Sequence, residues 1–124
     1  VKIKTSALTG RALDWAVAKA DARGVKINEL GYVFVNDNRS IGVYSPSADW
    51  AKCGQLIEKH YIELNFNSVN EEWSAYIFSF EELESVIEDG ESPTIAICRA
   101  VVAAKLGDEV EIPDELVEGV NDNG

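Results

Sequence analysis

The reactive side chains of this sequence gather between Tyr44 and His60, in Tyr44-Ser-Pro-Ser-Ala-Asp-Trp-Ala-Lys-Cys-Gly-Gln-Leu-Ile-Glu-Lys-His60. Hydroxyls, a carboxylate, an amide, two aromatic rings, a thiol and the only histidine fall within seventeen residues. That mixture suits an anionic or ribose-bearing ligand. Tyr44 and Trp50 would stack on a base, while Ser45, Ser47 and Asp49 would hold a sugar. A helix opening after Asp49 would add backbone donors for an anion. The same residues also read as a plain capping turn. Pro46 biases Ser45 away from helical angles, and Ser47 or Asp49 can cap the donors that follow.

Catalytic chemistry finds less support. Cys53 and His60 are seven residues apart on a predicted helix, about 10 Å by helix rise, so they share a face but no hydrogen bond. One histidine and two distant cysteines make no closed zinc site. Asp14 and Asp49 would act as a carboxylate pair only if tertiary packing joined them. The expectation is a protein that is not an enzyme and holds no metal or cofactor.

Three positions outside this stretch join the candidate site. Asp14 and Trp15 sit on a predicted helix. There Trp15 is either a core anchor beside a solvated Asp14, or a ring that stacks on a base while Asp14 accepts from its edge or from a ribose. Arg99 is the one charge in the central turns of an apolar segment. It must snorkel, pair with a carboxylate or contact an anion, and here it is the candidate for a phosphate. The ligand-binding set is therefore Tyr44, Ser45, Ser47, Asp49, Trp50, Arg99, Trp15 and Asp14. Arg39, at a predicted hairpin tip, is a weaker phosphate clamp.

The elements that must position these residues follow from periodicity. Leu13, Ala16, Val17 and Ala20 recur at helical spacing, which predicts a helix from Ser6 or Thr9 to Ala22, stopped by Gly24. Gly31 to Val35 and Ile41 to Tyr44 read as a hairpin around Asn36–Ser40. A helix from Asp49 to His60 follows, then a second hairpin from Tyr61–Phe66 and Trp73–Phe78. Leu83, Val86 and Ile87 are spaced as on a helix, so the acidic Phe80–Gly90 segment reads as a surface helix or loop. Ser92 as cap and Pro93 as first helical residue begin a helix that is apolar on every side through Leu106, ended by Gly107. A short extended piece and a turn of helix at Pro113 close the chain, and residues 119–124 read as a polar tail. The order α-β-β-α-β-β-α predicts a compact α+β domain spanning residues 1–124, an antiparallel sheet from two hairpins packed on a buried C-terminal helix. The all-apolar helix, three tryptophans and four tyrosines predict a homo-oligomer.

Composition narrows the partners. At 124 residues, with 46% hydrophobic content, the chain is long enough for one core. No apolar run reaches the roughly 18 residues of a membrane span, and the first residues lack a signal-peptide core. The expected location is the cytosol, where Cys53 and Cys98 would stay reduced. The net charge of −11 is uneven. Residues 1–60 carry nine Lys/Arg against six Asp/Glu, a net of +3, and residues 61–124 carry two against sixteen, a net of −14. Phosphate neutralisation of nucleic acid is disfavoured by that balance. A site for a small anion belongs in the first half, and the acidic half is either a solubilising surface or one that occupies a basic host protein.

Three blocks carry a likeness. Leu8-Thr-Gly-Arg-Ala-Leu-Asp-Trp-Ala-Val-Ala-Lys-Ala20, Tyr44-Ser-Pro-Ser-Ala-Asp-Trp50 with Gly54 and Leu56-Ile-Glu58, and Pro93 through Arg99 with Lys105-Leu-Gly-Asp108 resemble the NinX-like phage accessory proteins. The blocks span the chain, and an Asp-Trp pair occurs in two of them. Ala48 stands where relatives tend to carry threonine, and Gln55 where they carry proline, which makes the middle block more helical. The resemblance implies a setting among small phage accessory genes rather than a reaction. In that setting the leading expectation is a non-catalytic binder that sequesters a nucleotide signal of the host. The alternative is an acidic inhibitor or adaptor acting on a host protein.

Overall fold

The computed structural model describes residues 1–36, 42–79 and 83–117. Within them lie seven strands and three helices. In chain order these are β1 (Lys2–Lys4), α1 (Gly10–Ala20), β2 (Val25–Ile27), β3 (Val33–Val35) and α2 (Trp50–His60). Then come β4 (Glu63–Asn67), β5 (Glu72–Ser79), β6 (Glu84–Gly90), α3 (Pro93–Leu106) and β7 (Glu109–Glu111). The architecture is a compact α+β domain organised around α3. Arg39 and residues 119–124 fall outside the described residues.

α3 forms as the sequence predicts. The Ser92 hydroxyl accepts from the Ile95 N–H at 3.3 Å, Pro93 opens the first turn, and Gly107 at φ +95° ends it. Ala96, Ile97, Cys98, Ala100, Val101 and Val102 are buried. α1 and α2 pack on α3, as do β5 and β6, so one chain covers an apolar helix from several sides. Its composition therefore requires no second subunit.

α1 is shorter than periodicity suggests. Thr5–Ala7 forms a separate 3-10 turn, and the helix ends at Ala20, four residues before Gly24. The Ala22 N–H reaches the Lys19 carbonyl and the Arg23 N–H reaches that of Ala18, with Ala22 at φ +55°. This is a Schellman closure with alanine where glycine is usual.

The strands differ more. β3 pairs antiparallel with β2, through Val25–Val35 and Ile27–Val33, and Val43 makes only a single bridge to Phe34. The described residues of the predicted partner, 42–44, thus do lie against β3, where the Tyr44 N–H also donates to the Val33 carbonyl at 2.8 Å, while β2 takes the other edge of β3 through a hairpin around Asn28. Its side chain accepts from the Leu30 and Tyr32 N–H groups and fixes the turn. β4, β5 and β6 form one antiparallel sheet. β6 corrects the surface-helix-or-loop reading over Glu84–Gly90, and residues 80–82 of that segment fall outside the described residues. Val86 and Ile87 lie opposite Ile77 and Tyr76 of β5 and so point to opposite faces of the sheet. A three-residue apolar pattern is too short to separate the two periods, and the ladder decides. Gly90 ends β6 against α3, where a Cβ would stand 2.6 Å from the Ala96 nitrogen. β1 pairs with β7, joining the two ends of the described chain. Among the described residues no helix is long and apolar enough to cross a membrane.

Candidate functional site

The Ser45–Asp49 turn is built by residues far away in sequence. Its Ser47 N–H donates to the Asp14 carboxylate at 2.9 Å, and its Ser47 carbonyl accepts from the Thr94 hydroxyl at 2.6 Å. One peptide thus ties α1, the central turn and the first turn of α3 together. Burial pushes the Asp14 carboxyl up to about 6, against the hydrogen bonds from Ser47 that favour its ionised form. Asp14 and Ser47 meet, but they face each other across the core and leave no opening for a ligand between them; Asp14 is 4% exposed.

Asp49 caps α2. Its carboxylate accepts from the Ala51 N–H at 2.9 Å and the Lys52 N–H at 3.4 Å, which occupies the donors an anion would use. Trp50 is 55% exposed. Among the described residues Arg99 makes no ion pair within 4 Å, although its charge acts on Glu88. Its Nε donates to the Leu8 carbonyl at 3.0 Å and its Nη1 to the Asp89 carbonyl at 2.8 Å, pinning the entry to α1 and the end of β6 to α3. Trp15 stands elsewhere, over a cleft of about 400 Å3 shared with Leu106 and Val110, with Lys19 5.6 Å from its ring. The two Asp-Trp blocks therefore meet through Asp14 and the central turn, whereas Trp15 lines a cleft that contains no residue of that turn. Ser45 is half-buried.

Cys53 and Cys98 are buried and not joined in a disulfide, and the Cys53 thiol points to the Thr94 carbonyl at 3.9 Å. A hydrogen bond with Cys53 and burial both push the Cys98 thiol upward, which leaves it a poor nucleophile. Among the described residues no three His, Cys, Asp or Glu side chains are grouped to hold a metal ion.

Tyr44 leads to a cleft where cations converge beside the central stretch. Its ring is buried, and the Arg23 guanidinium lies 4.8 Å from the ring centroid. Burial raises the phenol to about 12, against the pull of Arg23. Around them a cleft of about 190 Å3 is lined by Asp21, Arg23, Tyr44, Lys52, Gln55, Leu56 and Lys59. Lys52, Gln55, Leu56 and Lys59 share one face of α2 at the i, i+3, i+4, i+7 spacing. Trp50, two residues before Lys52, leaves the helix on roughly the opposite side, at about 200°. Asp21, with a side chain 5% exposed, accepts from Lys59 at 2.6 Å and lies 3.3 Å from His60 Nε2. Burial pushes its carboxyl up, and the hydrogen bonds and charges of His60 and Lys59 outweigh that, so it stays below its ordinary value.

The sequence carried a partial signal for this cleft. The Lys52–Lys59 stripe is legible as a helix face, and Gln55 marks the departure from proline. Nothing in the sequence placed Arg23 and Asp21 beside it, because the closure at Ala22 sets their direction.

No curated protein matches the chain. A family model described as Bacteriophage P22, NinX matches residues 4–105, a span that takes in the first two blocks of likeness whole and the third as far as Lys105. By that match the chain belongs to the bacteriophage P22 NinX family.

Proposed function

We propose that this phage accessory protein is a non-catalytic binder of a small anionic ligand, working in the host cytosol by sequestering a phosphorylated, nucleotide-type signal. The observation that carries the reading is the cleft beside Tyr44. Arg23, Lys52 and Lys59 line it with one carboxylate, Asp21, which pairs with Lys59, in a protein of net charge −11. Concentrating cations on one small concavity against the charge of the whole chain favours an anion at that point. The volume suits a phosphate with part of a sugar, and a base would extend past the rim. Of the eight residues expected from sequence to bind the ligand, Tyr44 lines this cleft. Asp14, Asp49 and Arg99 support the reading only indirectly, as the groups that hold the surrounding elements in place.

The test is native mass spectrometry of the protein purified from phage-infected cells, then denaturation and identification of any compound released. The same spectra report whether the protein is a homo-oligomer. A released phosphorylated compound is expected, and the double variant Lys52→Glu, Lys59→Glu should bind it at least about tenfold more weakly while melting as a folded protein. A protein that carries nothing from infected cells, and that binds no member of a panel of nucleoside phosphates and cyclic dinucleotides, overturns the reading.

A further inference from the structure

The second surface lies on the β4–β5–β6 sheet, away from the cleft. Ala75 and Ile77 of β5 are buried toward α3. Strand alternation therefore turns Ser74, Tyr76 and Phe78 to the other face. The ladders set Glu63, Tyr76 and Ile87 in one row across the three strands, and Asn65, Ser74 and Asp89 in the next. Phe78 and Ser85 form a third. Ile87 is 62% exposed and Phe78 38%. A solvated face of an antiparallel sheet ordinarily alternates to polar residues. Here an aromatic ring and a β-branched side chain occupy its centre.

The strands that form this face carry charge of one sign, and a cation beside them, Arg99 of α3, donates to the Asp89 carbonyl at 2.8 Å. Residues 61–98 contain nine Asp/Glu and no lysine or arginine. Glu63 and Asp89 flank the apolar row on this face, and Glu72 and Glu84 lie at the strand ends. An apolar centre with an acidic rim is the arrangement of a protein-docking surface, in which rings supply contact and rim charges select and steer the partner. We infer that this outward face, centred on Tyr76 and Ile87, docks a positively charged surface of another protein. The sign of the rim decides among occupants. Nucleic acid and anionic lipid would be repelled. A second copy of this face would set Glu63 and Asp89 against their own counterparts.

The probe is a peptide of alternating lysine and leucine, with serine–leucine and glutamate–leucine peptides as controls, titrated into the full chain labelled for NMR. Shifts should concentrate at Ser74, Tyr76, Ile87 and Asp89, and spare Lys52 and Gln55. The affinity should fall about tenfold or more between 50 and 300 mM salt. The variant Tyr76→Ser, Ile87→Ser should weaken binding about fivefold or more with an unchanged melting temperature, and single Ile87→Ser serves if the double variant unfolds. Equal binding of the serine–leucine peptide, shifts confined to Lys52 and Gln55, or an unaffected variant overturns the inference. Concentration-dependent dimerisation through the same residues, seen by sedimentation, assigns the face to self-association and overturns it too. The anion cleft is read by different residues and a different ligand, so either proposal can fail alone.

Discussion

Around Ser47 polar groups are turned inward and matched, whereas along β5 and β6 a ring and an aliphatic side chain are turned outward among carboxylates. At the first region Asp14 and Thr94 each answer one half of a single peptide. At the second, Ile87 is 62% exposed beside Asp89, whose carboxylate accepts from the Ser74 hydroxyl at 2.6 Å. Polar residues that look reactive in sequence can thus be spent on the fold, while residues that look like core are left for the surface. Composition alone does not separate the two, because it does not say which face of an element each side chain takes.

Changes at the two regions should therefore differ in kind. The largest effect is expected at Gly90, where the sheet abuts α3. Gly90→Ala places a methyl group 2.6 Å from a backbone nitrogen that cannot move independently, and should cost about 3 kcal/mol in urea unfolding. A loss under about 0.5 kcal/mol would mean that the sheet rides loosely on the helix.

Next comes Asp14. Its folded pKa lies above the unfolded value of 3.8, so the folded state binds the extra proton between about pH 4 and 6. Stability should fall by on the order of 2 kcal/mol as pH rises through that window, and Asp14→Asn should flatten the fall. Asp21, held below its ordinary value, works in the opposite sense, and its contribution is lost only as pH drops below that same unfolded value. Thermal unfolding at pH 4, 5, 6 and 7 separates the two. A slope that survives Asp14→Asn would remove Asp14 as its source.

The smallest of the three is Thr94→Val, which keeps the shape and deletes the donor to the Ser47 carbonyl. It should cost about 1 kcal/mol. If both Thr94→Val and Asp14→Ala, which removes the acceptor for the Ser47 N–H, leave the melting curve unchanged, the inward matching at Ser47 does not hold the three blocks together.

Legibility followed locality. α2 and α3 were readable because cap, first turn and stop all lie within the segment: Asp49 and Ser92 cap as their types suggest, and Gly107 terminates. β4 and β5 were readable from alternation. β6 was not, since Leu83, Val86 and Ile87 fit a helix stripe as well as a strand until β5 supplies a ladder. β2 stayed hidden because three residues carry little period, and the turn that creates it depends on the Asn28 side chain. The candidate site divided in the same way. The role of Asp49 as a cap is local and was foreseen as one option. The roles of Asp14 and Arg99 are set by Ser47, Leu8 and Asp89, which no spacing along the chain reveals.

β1 has one further consequence, in time rather than space. Its ladder partner β7 is the last strand of the described chain, so β1 emerges from the ribosome long before it can be paired. At typical elongation rates that delay is on the order of ten seconds. During it Ile3 sits on a strand edge open to other nascent chains. Lys2 and Lys4 on either side make that edge a poor template for aggregation, the same charge device that guards permanent sheet edges in finished proteins. In this fold it also serves after synthesis, because a two-stranded ladder leaves β1 one open edge.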